Sequence, residues 1–544
     1  MSDVRPVREA ENRLAHFNAE RAAIVAEVER RVLASRLAAA GRGRDASLEY
    51  VLNDVAFQEI RRLERGLASA GERKRIGAWH DLARRLGTMT DDEKRVRLGR
   101  LIAEYAHDIA GSFNPRVYRF ATRLMPPLLS SLLAPGSIAQ GVTALGDLSG
   151  KVVIDGPLEH IRACADRGTL VVTPTHSSNM DSVVFGWSLY RSGLPPCTYG
   201  AGKNLFTNPF ISFFMHNLGA YRVDRRIGNA VYKDVLKTYS QVLLERGYHS
   251  LFFPGGTRSR SGSVEKKLKL GLLSTALAAY ERKLEDGQAE KRVYVVPATI
   301  NYALTLEAET LVDDFLAEEG RHRYIIEDDE FSRLGRIVDF SRRIMSLDGS
   351  LVIRYGAPLD VFGNAVDERG DSRDQRGRVV DPAGYVTGDD GRVSHDAQRD
   401  AEYTRALGDE LVRRFRRTSA FMPTNLVARV LFDRIAERMG TRDIYRMLRG
   451  LEGEAEVGEV RAGLARLGRA LAQNVELGAV ADRWRDARPG DILDDALRMF
   501  RGYHTRPVVD REGDRLIARD LRLLYYYRNR TAHIRDDVLA AVPS

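Results

Sequence analysis

Cysteine is nearly missing from this chain: Cys164 and Cys197 are the only two among 544 residues. They form no metal-ligand spacing and no framework of pairs, which argues against structural zinc and suits a reducing compartment. Long apolar runs are scarce as well. The opening stretch, MSDVRPVREAENRLAHFNAERAAIVAEVERR, is densely charged and has no apolar core of a secretory leader, so a cytoplasmic location is expected. One uncharged segment, LMPPLLSSLLAPGSIAQGVTAL at 124–145, approaches the ~20 apolar residues of a spanning helix. Pro126, Pro127, Pro135, Gly136 and Gly141 interrupt it, and a surface-seated or buried pair of short helices is expected instead of a span. No repeat of fixed period is apparent.

What the chain does have is the balance of a soluble globular protein, with 44% hydrophobic and 29% charged residues. Its length calls for two or three domains. The formal net charge of +9 suits nucleic acid, anionic lipid or phosphorylated substrates and by itself does not choose among them. A nucleic-acid binder would interleave aromatics with its charges. The tyrosines at 525–527 beside Arg528 and Arg530 are the one hint, and packing with snorkelling arginines explains them better. No nucleic-acid partner is expected.

Residues 1–135 read as helical, with apolar positions recurring in Arg/Glu-rich sequence such as DEKRVRLGRLIAEYAHDIA. From about 136 to 362 short β-branched runs alternate with helical ones: KVVID, TLVVTP, AYRVD, HSLFFPGG, RVYVVPATINY and SLVIRYG. Strands separated by helices predict an α/β domain with a largely parallel sheet flanked by helices. Residues 363–400, rich in Gly, Asp and Arg, read as an exposed insertion or linker. Residues 401–544 return to a mainly helical pattern, with a hairpin in RPVVDREGDRLIARD turning at Glu512–Gly513.

The chemistry gathers around PTHSSNMDS at 174–182, directly after an apolar strand. His176 and Asp181 are five positions apart and would not share a helix face. The spacing works if His176 lies in a strand-to-helix turn, with Ser178 or Asn179 capping the helix and Asp181 in its first turn pointing back at the imidazole. A carboxylate there fixes the tautomer and stabilises the imidazolium, which describes a base activating a hydroxyl without a protein nucleophile. Alone, such a turn is common without catalysis. The second cluster, FFPGGTRSRSG at 252–262, offers glycines, hydroxyls and two guanidiniums in one loop, a set suited to a phosphate monoester. It lacks the Walker lysine spacing. Arg225 and Arg226 follow a further strand, Lys266, Lys267 and Lys269 precede a helix, and Pro297 is placed at a strand end. A basic surface turn and a strand terminator are the bland readings of these last segments. In an open α/β sheet, however, the carboxyl ends of strands are where ligands bind.

Together these segments resemble the glycerolipid acyltransferase superfamily, which carries H-x-x-x-x-D (His176, Asp181), a glycine followed by an arginine (Gly219, Arg225), a G-T-R-S-R loop (Gly256, Thr257, Arg258, Ser259, Arg260) and a strand-end proline (Pro297). The glycerol-3-phosphate acyltransferase branch is the nearer likeness, through SGLPPCTYGAGKNLF, ERGYHSLFFPGG and KLGLLSTAL. The resemblance implies transfer of a fatty acyl group from acyl-CoA or acyl carrier protein to the sn-1 hydroxyl of glycerol 3-phosphate. His176 would be the base and Asp181 its orienter. Arg225, Arg258 and Arg260 would hold the phosphate, with Lys269 nearby. It implies no metal and no cofactor beyond the acyl donor. The amphipathic product, the basic chain and the interrupted apolar stretch with Arg123 at 117–145 predict reversible peripheral attachment to the anionic cytoplasmic face of the inner membrane. The family's third motif usually has glutamate before G-T-R, where this chain has Gly255. That departure puts the acceptor in question more than the transfer chemistry. The alternatives are acylation of lysophosphatidic acid or another lipid alcohol, or a non-catalytic lipid-binding relative.

Overall fold

A computed structural model describes residues 13–40, 47–65, 69–122, 152–206, 209–319, 351–450 and 453–540. The start of the chain and the interrupted apolar segment at 124–145 lie outside the described residues. Among the described residues, no helix is long and apolar enough to cross a membrane.

Four helices open the structure: α1 (Phe17–Ala40), α2 (Leu48–Leu63), α3 (Ala70–Arg85) and α4 (Asp91–Ile109). Their starts follow from sequence, since Ser69 with Glu72 and Thr90 with Glu93 form capping boxes ahead of α3 and α4. The α/β region then alternates β1 (Val152–Asp155), α5 (Leu158–Arg167), β2 (Thr169–Pro174), α6 (Asp181–Arg191), β3 (Thr198–Gly202), α7 (Pro209–Asn217), β4 (Ala220–Val223), α8 (Ala230–Glu245), β5 (Ser250–Leu251), α9 (Leu270–Glu285), β6 (Val293–Tyr302), α10 (Ala308–Glu319) and β7 (Leu351–Tyr355). These strands make one seven-stranded sheet in the order β1-β7-β6-β2-β5-β3-β4. Every neighbouring pair is parallel except β6 with β7. β2 and β6 are buried along their whole length, as continuous apolar runs must be when helices cover both faces.

Two readings need correction here. Pro297 is not at a strand end: β6 continues through it to Tyr302. It is tolerated because β6 changes neighbours there, bridging to Leu359 through Val295 and pairing with β7 only from Ala298. The Pro297 carbonyl stays paired at that junction, accepting from Gly356 N at 2.8 Å. The stretch 363–400 does contain a repeat. Asp360, Asp367, Asp374 and Asp381 recur every seventh residue, each followed by glycine three positions on. Asp367 Oδ1 accepts from Arg369 N and Asp371 N, and Asp374 Oδ1 accepts from Arg376 N and Arg378 N, each carboxylate closing its own turn. The turns link three short antiparallel strands, Ala365–Val366, Ser372–Arg373 and Val379–Val380.

Helices α11 (Ala397–Thr418), α12 (Pro423–Met439), α13 (Val457–Gln473), α14 (Pro489–Gly502) and α15 (Leu521–Asn529) make most of the C-terminal part. The hairpin of Val509–Glu512 with Arg515–Ala518 forms, but Glu512 pairs with Arg515, so it turns at Gly513–Asp514, one residue later than expected, and Glu454–Glu456 adds a third strand. Among the described residues, each helical part shares its core with the α/β part. Leu52, Ile102 and Ile109 share one apolar cluster with Val231, Tyr239 and Tyr248 of the α/β part. Leu431, Phe500 and Leu524 share another with Ala303, Leu311 and Val352.

Candidate active site

β2 ends at Pro174, and its chain continues as an extended turn to the start of α6 at Asp181. His176 sits in that turn. Its Nδ1 donates to Asp181 Oδ2 at 2.8 Å, and the same oxygen accepts from Ser177 N at 2.6 Å and Ser178 N at 2.9 Å. Asp181 Oδ1 accepts from the Tyr302 hydroxyl at 2.7 Å, and the aspartate has 0% exposure. Four donors and the N-terminal end of α6 fix the position of this carboxylate. The tautomer follows: with Nδ1 donating to a carboxylate, Nε2 is the nitrogen that takes a proton. The Phe253 ring stacks on the imidazole, centroids 4.2 Å apart and planes 21° from parallel.

The expected helix cap is corrected. Met180 occupies the cap position, with no side-chain bond closing it. Ser178 Oγ instead accepts from Met180 N at 3.2 Å and donates to Glu307 Oε2 at 2.9 Å. Glu307 Oε1 also accepts from Asn179 N at 2.9 Å and lies 3.3 Å from the Arg258 guanidinium. Burial pushes the Glu307 carboxyl up to about 7, with Arg258 and the two turn donors opposing the rise.

The second loop leaves β5 and turns back over the first. Gly256 has φ of +78°, a left-handed conformation that glycine adopts freely, and a Cβ there would lie 2.8 Å from the Lys269 Cγ. Lys269 therefore crosses this turn, and its N–H holds Pro254 O at 2.7 Å immediately before α9. Ser259 N donates to His176 O at 2.8 Å, which ties the two loops together. The Ser259 hydroxyl donates inward to Ser263 O at 2.7 Å. Arg258 is half-buried, whereas Thr257 is exposed.

Arg225 follows β4 and comes close to Arg258. Surrounding protein first, then the Arg258 charge, lower its pKa from the usual arginine value, although one side of Arg225 is open to solvent. Neighbouring Arg226 is engaged with Asp224 at 3.3 Å. Arg225 has no acidic partner among the described residues. Arg225 feels the Arg258 charge, and of the two only Arg258 has a carboxylate partner among the described residues, a charge distribution that favours an anion here.

The predicted residues thus separate. His176, Asp181, Arg225, Gly256, Thr257, Arg258 and Lys269 gather at the carboxyl ends of β2, β5 and β4. Arg260 is paired with Glu318 at 2.7 Å. Gly219 precedes β4, at the opposite end of the strand from Arg225, and donates its N–H to Ser112 O. Pro297 is buried in the sheet beside Thr173. Sequence reasoning missed Tyr302, Glu307, Glu265 and Phe253. Phe253 and Tyr302 stand inside quoted segments, but nothing local marks Tyr302, Glu265 or Glu307 for this site, because only the fold brings them to the turn. Among the described residues, no group of three or more His, Cys, Asp or Glu is arranged to hold a metal ion.

Residues 156–301 match the Acyltransferase family model. The chain is 27% identical over 270 residues to the glycerol-3-phosphate acyltransferase of Xanthomonas axonopodis pv. citri, covering 49% of this chain and 27% of that protein. It is 29% identical over 208 residues to the enzyme of the same name from Aeromonas hydrophila, covering 38% of this chain and 23% of that one. The chain thus spans about a quarter of the length of these curated relatives. A solved 1-acyl-sn-glycerophosphate acyltransferase from Thermotoga maritima overlays with a TM-score of 0.24 at 17% identity, covering 46% of this chain and 74% of that one. Residues 156–301 match an acyltransferase domain, and the likeness to these glycerol-3-phosphate acyltransferases supports a place in the glycerolipid acyltransferase superfamily.

Proposed function

We propose that the protein is a glycerol-3-phosphate 1-O-acyltransferase, taking its acyl group from acyl-CoA or acyl carrier protein and releasing lysophosphatidic acid. The observation that carries this reading is the saturated Asp181 carboxylate, which leaves His176 Nε2 as the basic nitrogen beside the paired Arg225 and Arg258. In this mechanism the arginines and Lys269 hold the acceptor's phosphate. His176 Nε2 takes the proton of the sn-1 hydroxyl as its oxygen attacks the thioester carbonyl. The tetrahedral intermediate then expels the thiolate, which receives that proton from the imidazolium. Asp181 stabilises the imidazolium between the two transfers.

The oxyanion needs donors that are not already engaged. The four successive amides of the base turn are all committed to carboxylates: His176 N to Glu265, Ser177 N and Ser178 N to Asp181, and Asn179 N to Glu307. The amides of Thr257 and Arg258 have no hydrogen-bond partner among the described residues, and we assign them this role. The net charge of +9 supports peripheral attachment to the anionic cytoplasmic face of the inner membrane.

The deciding experiment crosses acyl-CoA and acyl-carrier-protein donors with glycerol 3-phosphate, lysophosphatidic acid and unphosphorylated glycerol, using purified protein. Glycerol 3-phosphate should be the preferred acceptor with either donor. Preference for lysophosphatidic acid would move the protein to a different step, and indifference to the phosphate would remove the arginines from the binding account.

A further inference from the structure

Gly255 stands beside Gly256, yet the two are glycine for different reasons. Gly256 has positive φ, and Gly255 does not. The backbone at 255 would therefore accept a side chain. What occupies that space is Glu265: a Cβ on Gly255 would lie 3.1 Å from Glu265 Cγ and 3.4 Å from Glu265 Oε1. The first distance is tighter than an unstrained contact, so a side chain at 255 requires Glu265 to shift from its present position.

Glu265 reaches this place from a point ten residues further along the chain, and its carboxyl is engaged with the base turn. Oε1 accepts the backbone N–H of His176 at 2.9 Å, while Oε2 is sealed from solvent without a hydrogen-bond partner among the described residues. Burial raises the carboxyl's pKa, opposed by the His176 N–H and the positive charge of the buried Arg530. Arg530 is itself fixed, donating to Asn301 Oδ1 at 2.8 Å and Ile300 O at 3.2 Å. The segment leading to Glu265 is held by the C-terminal helix. Asn529 Nδ2 donates to Ser261 O at 3.0 Å, and the Tyr526 carbonyl packs so closely on Gly262 that a Cβ there would come within 2.3 Å of it. An acceptor this constrained is not an incidental neighbour of His176.

We propose that Glu265 is a positioning residue for His176, and that residue 255 is glycine because Glu265 fills its side-chain space. The inference rests on the reading of His176 as the base. It makes 255 and 265 one exchangeable site with room for a single carboxylate. The His176 amide is the most exacting contact, since a shift of the turn moves Nε2 relative to the acceptor hydroxyl.

The test is a set of four variants: Glu265→Ala, Glu265→Gln, Gly255→Glu and the double Gly255→Glu/Glu265→Ala. Each is assayed for acyl transfer well below its own melting temperature, and each is also melted. Glu265→Ala should lower kcat at least tenfold while the acceptor KM stays within about threefold. Glu265→Gln, whose amide oxygen still accepts from His176 N, should keep kcat within about threefold of the parent. Gly255→Glu should lower both Tm and kcat, and the double variant should recover Tm and at least tenfold in kcat over the worse single. A double variant that melts and turns over no better than Gly255→Glu overturns the exchange. Unchanged kcat in Glu265→Ala overturns the positioning role. If glycerol 3-phosphate proves not to be the acceptor, the same ratios are read on whichever alcohol is acylated. If the protein transfers no acyl group at all, the proposed function fails, while the four melting temperatures still decide whether the two positions exchange.

Discussion

Asp181 has no spare capacity: its oxygens accept from one imidazole, two amides and one phenol. Changing it to asparagine sets an amide NH2 against at least one of those donors, so the substitution disturbs the turn as well as removing the charge. Both His176→Ala and Asp181→Asn should reduce turnover by at least ~100-fold, the lower range for lost general-base catalysis, while thioester binding persists. Steady-state kinetics with a separate donor-binding measurement would check this, and near-normal turnover in the histidine variant would reduce His176 to a turn residue. Arg258→Ala should weaken the phosphorylated acceptor by about 1.5–3 kcal/mol, the usual worth of a charged hydrogen bond, with little change in donor KM. At this scale the sequence was informative wherever chemistry is local. His176 and Asp181 are linked by a five-residue turn, and the Gly256–Arg258 loop is contiguous, so both could be read directly. Tyr302, Glu265 and Glu307 reach the same turn from three separate segments, and nothing in their immediate neighbours distinguishes them from other polar residues.

Whole elements carry a second kind of consequence. Glu307 lies just ahead of α10 and bonds the turn ahead of α6, so its protonation bears on how the two helices sit together. Its carboxyl titrates near 7 in the folded protein, against the ordinary 4.5. The folded state therefore binds more protons than the unfolded chain between those values. The contribution from Glu307 is fully present below pH 4.5 and is lost as pH rises through 7, by about 3 kcal/mol in all. Glu307→Gln should remove that part of the slope, measured as urea midpoints from pH 4.5 to 8. A variant with the parent's slope would mean that Glu307 is ionised throughout. Strand prediction succeeded where β-branched residues cluster, as in β2, β6 and β7. It missed β3, TYGAG, because glycine and alanine have little strand preference and only pairing with β4 and β5 makes this segment extended. The seven-residue turn repeat was overlooked for a related reason. Its period is set by single aspartates and glycines, with no recurring apolar residue to mark it.

Across the whole molecule, both ends of the chain close around the acyltransferase domain. Arg530, buried near Glu265 and Asp181, comes from beyond α15, more than two hundred residues after either. Arg530→Met should cost about 1.5–3 kcal/mol of stability through its lost charged hydrogen bonds, read as a lower urea midpoint. It should also lower turnover, because Arg530 fixes the end of β6 at Ile300 and Asn301, which braces the base turn through Thr175 and Tyr302. A fall in stability with unchanged turnover below the transition would confine Arg530 to a packing role. The sequence marked the two flanking parts as helical, but helical periodicity says which face is apolar and not what covers it. That is why the shared cores were not foreseen. The boundaries recognisable by family likeness, 156 and 301, are consequently not boundaries of folding. A fragment cut there would leave Tyr239 and Tyr248 without the residues of α1 and α4 that cover them, and Asp181 without Tyr302. The domain is therefore not a portable cassette. Moved into another scaffold without its flanks it should aggregate, and a chimera that exchanges acyltransferase domains must also carry the matching helices from both ends.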